Sequence, residues 1–377
     1  MDEGRLTEVL RRLQEIYGRV PKHAKDDILG SMTTQPHPLA LMAYEMFQPF
    51  NVNDEVLYSP LRGLENEAVR SMGELVGCSG CTGMITTGGT ESNIAALYLA
   101  REHGYGRVYA ARTAHHSIAK AAKVLGLRYV QVADRGYRLD VDDLRDKCRS
   151  EGPGVFVATV GTTGVGTIDP VEEVSEVASE CGSVVHVDAA YGGFIAPLVY
   201  PERRLGFENG EVMTLTMDPH KLGLVPLQAG GLIVRDEAWL RPLRFEADYL
   251  PAGQQLGLLG TRSAGPVAAT WAMLSYLGRE GYRDLALRLM GMLSFLAKEV
   301  SRVGLRLAVE PEVPIACIEE SDDRSVMKEL WARGLYVYTC GVASGIRVVI
   351  MSHTTEDKLR RLVSALDELR GPRRAGI

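Results

Sequence analysis

Apolar residues first fall at helical spacing at Leu6, Val9, Leu10, Leu13, Ile16 and Tyr17, which predicts an amphipathic opening helix. Residues 28–38 (ILGSMTTQPHP) are small and polar with two prolines and read as irregular. Residues 38–47 return to helical spacing, which ends at Pro49. Ser59-Pro60 opens another helix, serine as cap and proline in the first turn; it runs through Leu64, Ala68, Met72 and Leu75 to Gly77. From residue 82 the pattern changes. Short apolar runs at 83–86, 107–111, 128–132, 154–160, 183–188, 212–217 and 229–234 alternate with helical stretches such as 90–102, 117–125, 141–150 and 171–181. That alternation predicts an α/β fold around a mostly parallel seven-stranded sheet. A long helical region over about 263–303 leads to an α/β tail, with strands near 305–309, 314–319 and 346–350 and helices near 323–333 and 355–370. The division expected is an N-terminal helical segment 1–49, a large domain 50–260 and a C-terminal domain 261–377 that begins with long connecting helices.

Composition narrows the class. A net charge of −6 and a pI of about 5.8 over 377 residues argue against a nucleic-acid or anionic-membrane partner. No apolar run reaches membrane-spanning length, and the Arg- and Glu-rich start resembles no secretory signal, so a cytoplasmic location is expected. Six scattered cysteines suggest no disulfide framework. Cys78 and Cys81 form a C-x-x-C with no second pair at zinc spacing, which reads as reduced structural cysteines or else a redox pair, and no metal site.

Lys221 follows the run 212–217 directly, after Asp218-Pro219 halts it. It therefore sits past a strand's carboxyl end, where open α/β sheets bind ligands. A lysine here is either a solvated loop charge or the amine that holds an aldehyde cofactor as a Schiff base. Asp188 ends the run VVHVD, where an unpaired carboxylate would be costly, so a cationic partner is expected; a protonated pyridine nitrogen would serve. His186, two residues earlier on the same strand face, is a supporting residue or simply a satisfied core histidine. TTGGTESN at 86–93 joins a strand to a helix, and its paired glycines, the Thr90 hydroxyl and free helix N–H groups suit a single phosphate better than a nucleotide. His115 follows the run 107–111 and could stack on a planar ring, and GTTGVGTID at 161–169 could touch ring substituents.

A phosphate cradle, a stacking ring, an acid for a ring nitrogen and a lysine are what pyridoxal 5'-phosphate needs. Together, GGTESN at 88–93, HHS at 115–117, GTTGVGTID at 161–169, HVDAAYGG at 186–193, DPHKLG at 218–223 and LGTR at 259–262 resemble the group II pyridoxal-phosphate-dependent decarboxylases, and within them the archaeal L-tyrosine/L-aspartate decarboxylases. The resemblance runs from about Ile28 to the C-terminal helix and implies a fold-type I enzyme that decarboxylates an L-amino acid. By it, Lys221 carries the cofactor, Asp188 holds the ring nitrogen protonated, His115 stacks on the ring and Ala190 packs on its other side. Gly89, Thr90 and His220 hold the phosphate, and Thr163 lies near the ring substituents. Thr261 would reach the phosphate in a neighbouring subunit, implying a homodimer with a shared active site.

For the substrate α-carboxylate the candidates are Arg347, then His353, because some relatives carry an arginine near the latter position and this chain has MSH at 351–353. Asn51 and Asp54 match positions near the distal carboxylate in glutamate decarboxylases, although NVND at 51–54 is also a plain turn. With Thr33 and Thr34 they point to an acidic substrate, L-aspartate giving β-alanine for coenzyme A; L-tyrosine and L-glutamate stay open. Asp218 stands where bacterial relatives have a small hydroxyl residue, so its carboxylate is expected to turn from the phosphate or take a cationic partner. The other enzyme class is a sulfur or tRNA-linked transferase of the same fold, which would need Cys340 as a mobile nucleophile.

Overall fold

The apolar runs between residues 82 and 234 form a single sheet. In the computed structural model, which describes residues 3–370, β1 (Thr82–Thr86), β2 (Arg107–Ala111), β3 (Arg128–Val132), β4 (Val155–Thr159), β5 (Val184–Asp188), β6 (Val212–Met217) and β7 (Gly230–Val234) lie in the order β1-β7-β6-β5-β4-β2-β3. β7 is antiparallel to both of its neighbours, and the other six run one way. Every residue of β4 and β5 is buried, as expected for central strands with both faces covered. The carboxyl ends of β1, β2, β4, β5 and β6 therefore share one edge, which brings the loops after Thr86, Ala111, Thr159, Asp188 and Met217 together.

The longer helices up to residue 302 are α1 (Glu3–Arg19), α2 (Pro38–Phe47), α3 (Ser59–Leu75), α4 (Gly89–Glu102), α5 (His116–Leu125), α6 (Val141–Glu151), α7 (Val171–Cys181) and α8 (Gly265–Arg302). α8 is not one continuous rod: Gly278 breaks it with φ +57°, a conformation that costs glycine little and other residues more. The tail holds a three-stranded sheet, β8 (Ile315–Glu319), β9 (Tyr338–Thr339) and β10 (Gly345–Val349), in the order β8-β10-β9, with α9 (Asp323–Ala332) and α10 (Glu356–Leu369). The run expected as a strand at 305–309 makes only an isolated bridge, Leu307 to Ile318. Residues 27–28 pair with Leu335 and Tyr336, and the Lys358 ammonium donates to the His23 and Asp26 carbonyls. The start of the chain is thus fastened to its tail.

The cysteine expectation needs correction. All six pair, as Cys78–Cys81, Cys148–Cys181 and Cys317–Cys340. Packing of α6 against α7 and the meeting of β8 with the 338–345 hairpin bring together residues 33 and 23 apart in sequence, which spacing alone does not reveal.

One buried ion pair joins four parts of the large unit. Glu65 of α3, fully buried, accepts from both terminal nitrogens of Arg262 at 2.6 and 3.1 Å, from Arg62 at 2.6 Å and from the Ile85 N–H at 2.9 Å. Arg262 also donates to the Ile85 carbonyl and the Asn53 side chain. Burial alone would raise the Glu65 carboxyl, but Arg262, Arg62 and the Ile85 amide together hold it below its ordinary value. Glu65→Leu would leave Arg262 unpaired in the core and is expected to cost about 3–5 kcal/mol, read as a lower urea midpoint at unchanged slope.

Candidate active site

Asp218-Pro219 ends β6 as anticipated, and the chain turns back so that the Lys221 N–H donates to the Asp218 carbonyl at 3.0 Å. The turn folds the Lys221 amine onto the Asp218 carboxylate, Nζ to Oδ2 at 3.2 Å. Asp218 has thus taken a cationic partner, while its Oδ1 is buried without one. His220 Nδ1 accepts from the Ala229 N–H at 3.1 Å, which leaves the ring proton on Nε2, 3.6 Å from Asp218 Oδ2.

The glycine turn before α4 lies opposite. Gly88 has φ +147°, and a Cβ on Gly89 would stand 2.8 Å from Asp218 Oδ2 and 3.3 Å from the Ala190 methyl. Only a bare backbone leaves that cradle open. Thr90, in the first turn of α4, lines it.

Asp188, at the end of β5 and 4% exposed, has no cation touching it among the described residues. Its Oδ1 accepts from the Ala190 N–H at 3.2 Å and its Oδ2 from the Asn93 amide at 2.9 Å. His186 is fully buried and bonded on both ring nitrogens, to Thr214 and to Asn93, each at 2.9 Å. It is a satisfied core histidine that reaches Asp188 only through Asn93. His115 caps α5, its Nδ1 accepting from the Ser117 hydroxyl at 2.8 Å and the Ser117 N–H at 3.3 Å. Burial pushes His115 and His186 down to about 4, so both are neutral at physiological pH, and burial lowers His220 as well.

Lys221, Asp188, His115, Gly89, Thr90, Thr163, Ala190 and His220 all line one cavity of about 380 Å³, within the range of small-molecule sites. Asp218 also faces it, and so do Met32, Asn93, Tyr191 and Gln228, which were not singled out as site residues from the sequence. Asn93 was signalled within GGTESN, four residues after Gly89 and so one helical turn along the same face.

Thr261 lines an adjoining recess of about 120 Å³ with Thr87 and Gln228. Asn51 and Asp54 do not line the main cavity: Asn51 Oδ1 accepts from the Arg262 and Asn53 N–H groups and Asp54 Oδ1 from the Leu57 N–H. Thr33 bonds His23 and Ser31, and Thr34 bonds Ser352. Arg347 stands behind the lining, donating to the Gly30 carbonyl at 3.0 Å and the Thr163 carbonyl at 3.4 Å. His353 bonds the Ile28 carbonyl and meets the His23 ring at 4.7 Å.

The conserved-domain model of pyridoxal-dependent decarboxylases matches residues 104–319. The chain belongs to this family. The decarboxylase is 39% identical to a probable L-tyrosine/L-aspartate decarboxylase of Methanothermobacter thermautotrophicus, over 91% of this chain and 97% of that one. It is 33% identical to a probable L-aspartate decarboxylase of Archaeoglobus fulgidus, covering 89% and 93%. In fold the decarboxylase is similar to a sphingosine-1-phosphate lyase of Burkholderia pseudomallei (TM-score 0.86, 24% identity, 97% and 91% covered). A Lactobacillus brevis glutamate decarboxylase is similarly close (TM-score 0.84, 20% identity, 100% and 94% covered). The decarboxylase is thus a fold-type I, pyridoxal-phosphate-dependent carboxy-lyase acting on an amino acid. Its cavity fits that cofactor: a cradle closed to any side chain, a sealed carboxylate with only neutral donors, and a lysine amine in the same lining.

Neutral histidines in the folded state set a pH dependence. The unfolded chain protonates these side chains below about 6.5, whereas folded His186 stays neutral to about 4. Unfolded chains then bind more protons, so stability is full above about 6.5 and falls as pH drops toward 4. Urea midpoints between pH 7.5 and 4.5 are expected to show this slope, and His186→Gln is expected to reduce it.

Proposed function

We propose that the enzyme decarboxylates L-aspartate to β-alanine in the cytoplasm, supplying a precursor of coenzyme A, with Arg347 as the anchor for a substrate carboxylate. The observation that carries the anchor is an unbalanced charge. Arg347 is largely buried, burial lowers its guanidinium from its ordinary value, and its Nε has no hydrogen-bond partner. No carboxylate pairs with it among the described residues; it has only two carbonyls and the Tyr338 ring. A buried guanidinium without an anion is costly, and a substrate carboxylate would supply one. Both carbonyls belong to segments at the cavity wall, those of Thr163 and Met32. Among the described residues, no helix is long and apolar enough to cross a membrane.

In this reading Lys221 binds the cofactor aldehyde and Asp188 faces the ring nitrogen. His115 stacks on one face of the ring and Ala190 packs on the other. Gly89, Thr90 and His220 hold the phosphate, and Thr163 borders the ring substituents. When bound, the cofactor supplies a protonated ring that accepts the electron pair left as carbon dioxide departs, an electrostatic contribution of roughly 3–4 kcal/mol for groups of this kind. Arg347 would hold the breaking bond perpendicular to that ring. A sulfur-transfer role loses its nucleophile, because Cys340 is buried and bonded to Cys317.

The proposal includes a homodimer. Segment 51–54 packs on 259–263, so Asn51, Asp54 and Thr261 stand together, ringed by exposed Phe50, Val56, Leu57 and Leu259. α1 has no buried residue, with Leu6, Val9, Leu10, Leu13, Ile16 and Tyr17 all exposed. A second copy covering these surfaces would let Asn51, Asp54 and Thr261 serve the partner's cavity.

L-Aspartate, L-tyrosine and L-glutamate supplied separately, with carbon dioxide and amine both measured, test the substrate. Aspartate is expected to be consumed fastest. Lys221→Ala should be silent and lack the near-visible absorbance of the bound cofactor, and Arg347→Met should raise KM by about 10–100-fold, the worth of a charge-assisted hydrogen bond. Equal inactivity on all three, or a preference for tyrosine, would overturn the assignment. Sedimentation should give twice the chain mass of 41.2 kDa, and Leu10→Asp with Leu13→Asp should shift it toward one chain.

A further inference from the structure

Asn93 is almost fully buried in the first turns of α4, and its amide uses every hydrogen-bonding position it has. Nδ2 lies 2.9 Å from Asp188 Oδ2 and 2.8 Å from Ser117 Oγ, and Oδ1 lies 2.9 Å from His186 Nε2 and 2.7 Å from Thr216 Oγ1. The chemistry of the partners fixes the orientation. An ionised carboxylate only accepts, so the amide must turn its NH2 toward Asp188. Oδ1 then faces His186 Nε2, which must carry the ring proton, and His186 Nδ1 accepts from the Thr214 hydroxyl. The second N–H goes to Ser117, whose own proton is left for His115 Nδ1.

We propose that Asn93 is a positioning residue that holds Asp188 as a carboxylate aimed at the cofactor ring and insulates it from His186. His186 and Asp188 are two residues apart on one strand face, and a histidine able to share its proton directly would be the obvious internal counter-ion for that acid. With the amide between them, the imidazole donates to a neutral oxygen and the carboxylate accepts from a neutral nitrogen. The negative charge of Asp188 then has no internal cation and remains for a cationic ligand. The inference rests on the reading that Asp188 serves the ring nitrogen, and it adds a residue to which no role was given above.

The test uses the full chain labelled with nitrogen-15 histidine, with and without cofactor, and Asn93→Leu, which keeps the branching at Cγ and removes all four bonds. In the wild type, His186 is expected as the neutral Nε2–H tautomer at pH 7 in both states. In Asn93→Leu, an Nδ1–H population should appear at His186, and the dissociation constant for pyridoxal phosphate should rise at least tenfold. Asp188→Asn is the control for the underlying reading and should also weaken cofactor binding at least tenfold. A wild-type His186 found as Nδ1–H or as imidazolium at pH 7 overturns the proposal without any variant, should Asn93→Leu fail to fold. Cofactor binding by Asn93→Leu within threefold of wild type, with Asp188→Asn impaired, overturns the role of Asn93 alone. Unimpaired Asp188→Asn overturns the reading of Asp188 and this proposal with it.

Discussion

A carboxylate sealed at the end of a central strand is the constraint around which the rest of this cavity is arranged. Asp188 is 4% exposed and touches only neutral donors, the Ala190 N–H and the Asn93 amide. Keeping a charge there is costly unless something cationic meets it. The nearby histidines do not, because burial keeps His115, His186 and His220 below their ordinary values. In the proposed reading, a protonated pyridine ring supplies the cation that the chain itself does not place there.

The second carboxylate, Asp218, is treated in the opposite way. It is paired inside the chain with the Lys221 amine at 3.2 Å. With Lys221 the only lysine or arginine lining the cavity among the described residues, a phosphate in the proposed position would rest on backbone N–H groups at the start of α4, on hydroxyls and on the His220 ring. Helix N-termini bind anions in this way without a fixed positive side chain. Glycine at 88 and 89 is what allows it: any Cβ at Gly89 would occupy the space between Asp218 and Ala190. Two neighbouring acids therefore do different work because one has a lysine and the other has an amide.

Much of the sheet was legible because each strand is a short apolar run bounded by glycine, proline or a polar turn, and the residues Lys221, Asp188, His115 and Thr163 reach one cavity because each ends or follows a run that stops on the same edge. The reversal of β7 was not legible, since an apolar run reads alike in either direction. The break at Gly278 was hidden because helical spacing continues on both sides of it. Cysteine pairing depended on contacts between elements 23 and 33 residues apart. Asn93 was not legible as a site residue, because its contacts depend on which strand ends lie beneath α4.

Residues 51–54 and 259–263 raise a different issue, because a sequence does not say which copy of a chain a side chain serves. Their neighbours Phe50, Val56, Leu57 and Leu259 are exposed, as is the whole apolar face of α1. Fully burying a leucine, valine or isoleucine gains roughly 1.5–3 kcal/mol, and the five aliphatic residues of that α1 face (Leu6, Val9, Leu10, Leu13 and Ile16) are about half exposed, so covering them would gain roughly 4–8 kcal/mol. Association costs an estimated 4–15 kcal/mol. The face of α1 falls in the lower part of that range, so the proposed dimer would need further apolar surface, such as that of Phe50, Val56, Leu57 and Leu259.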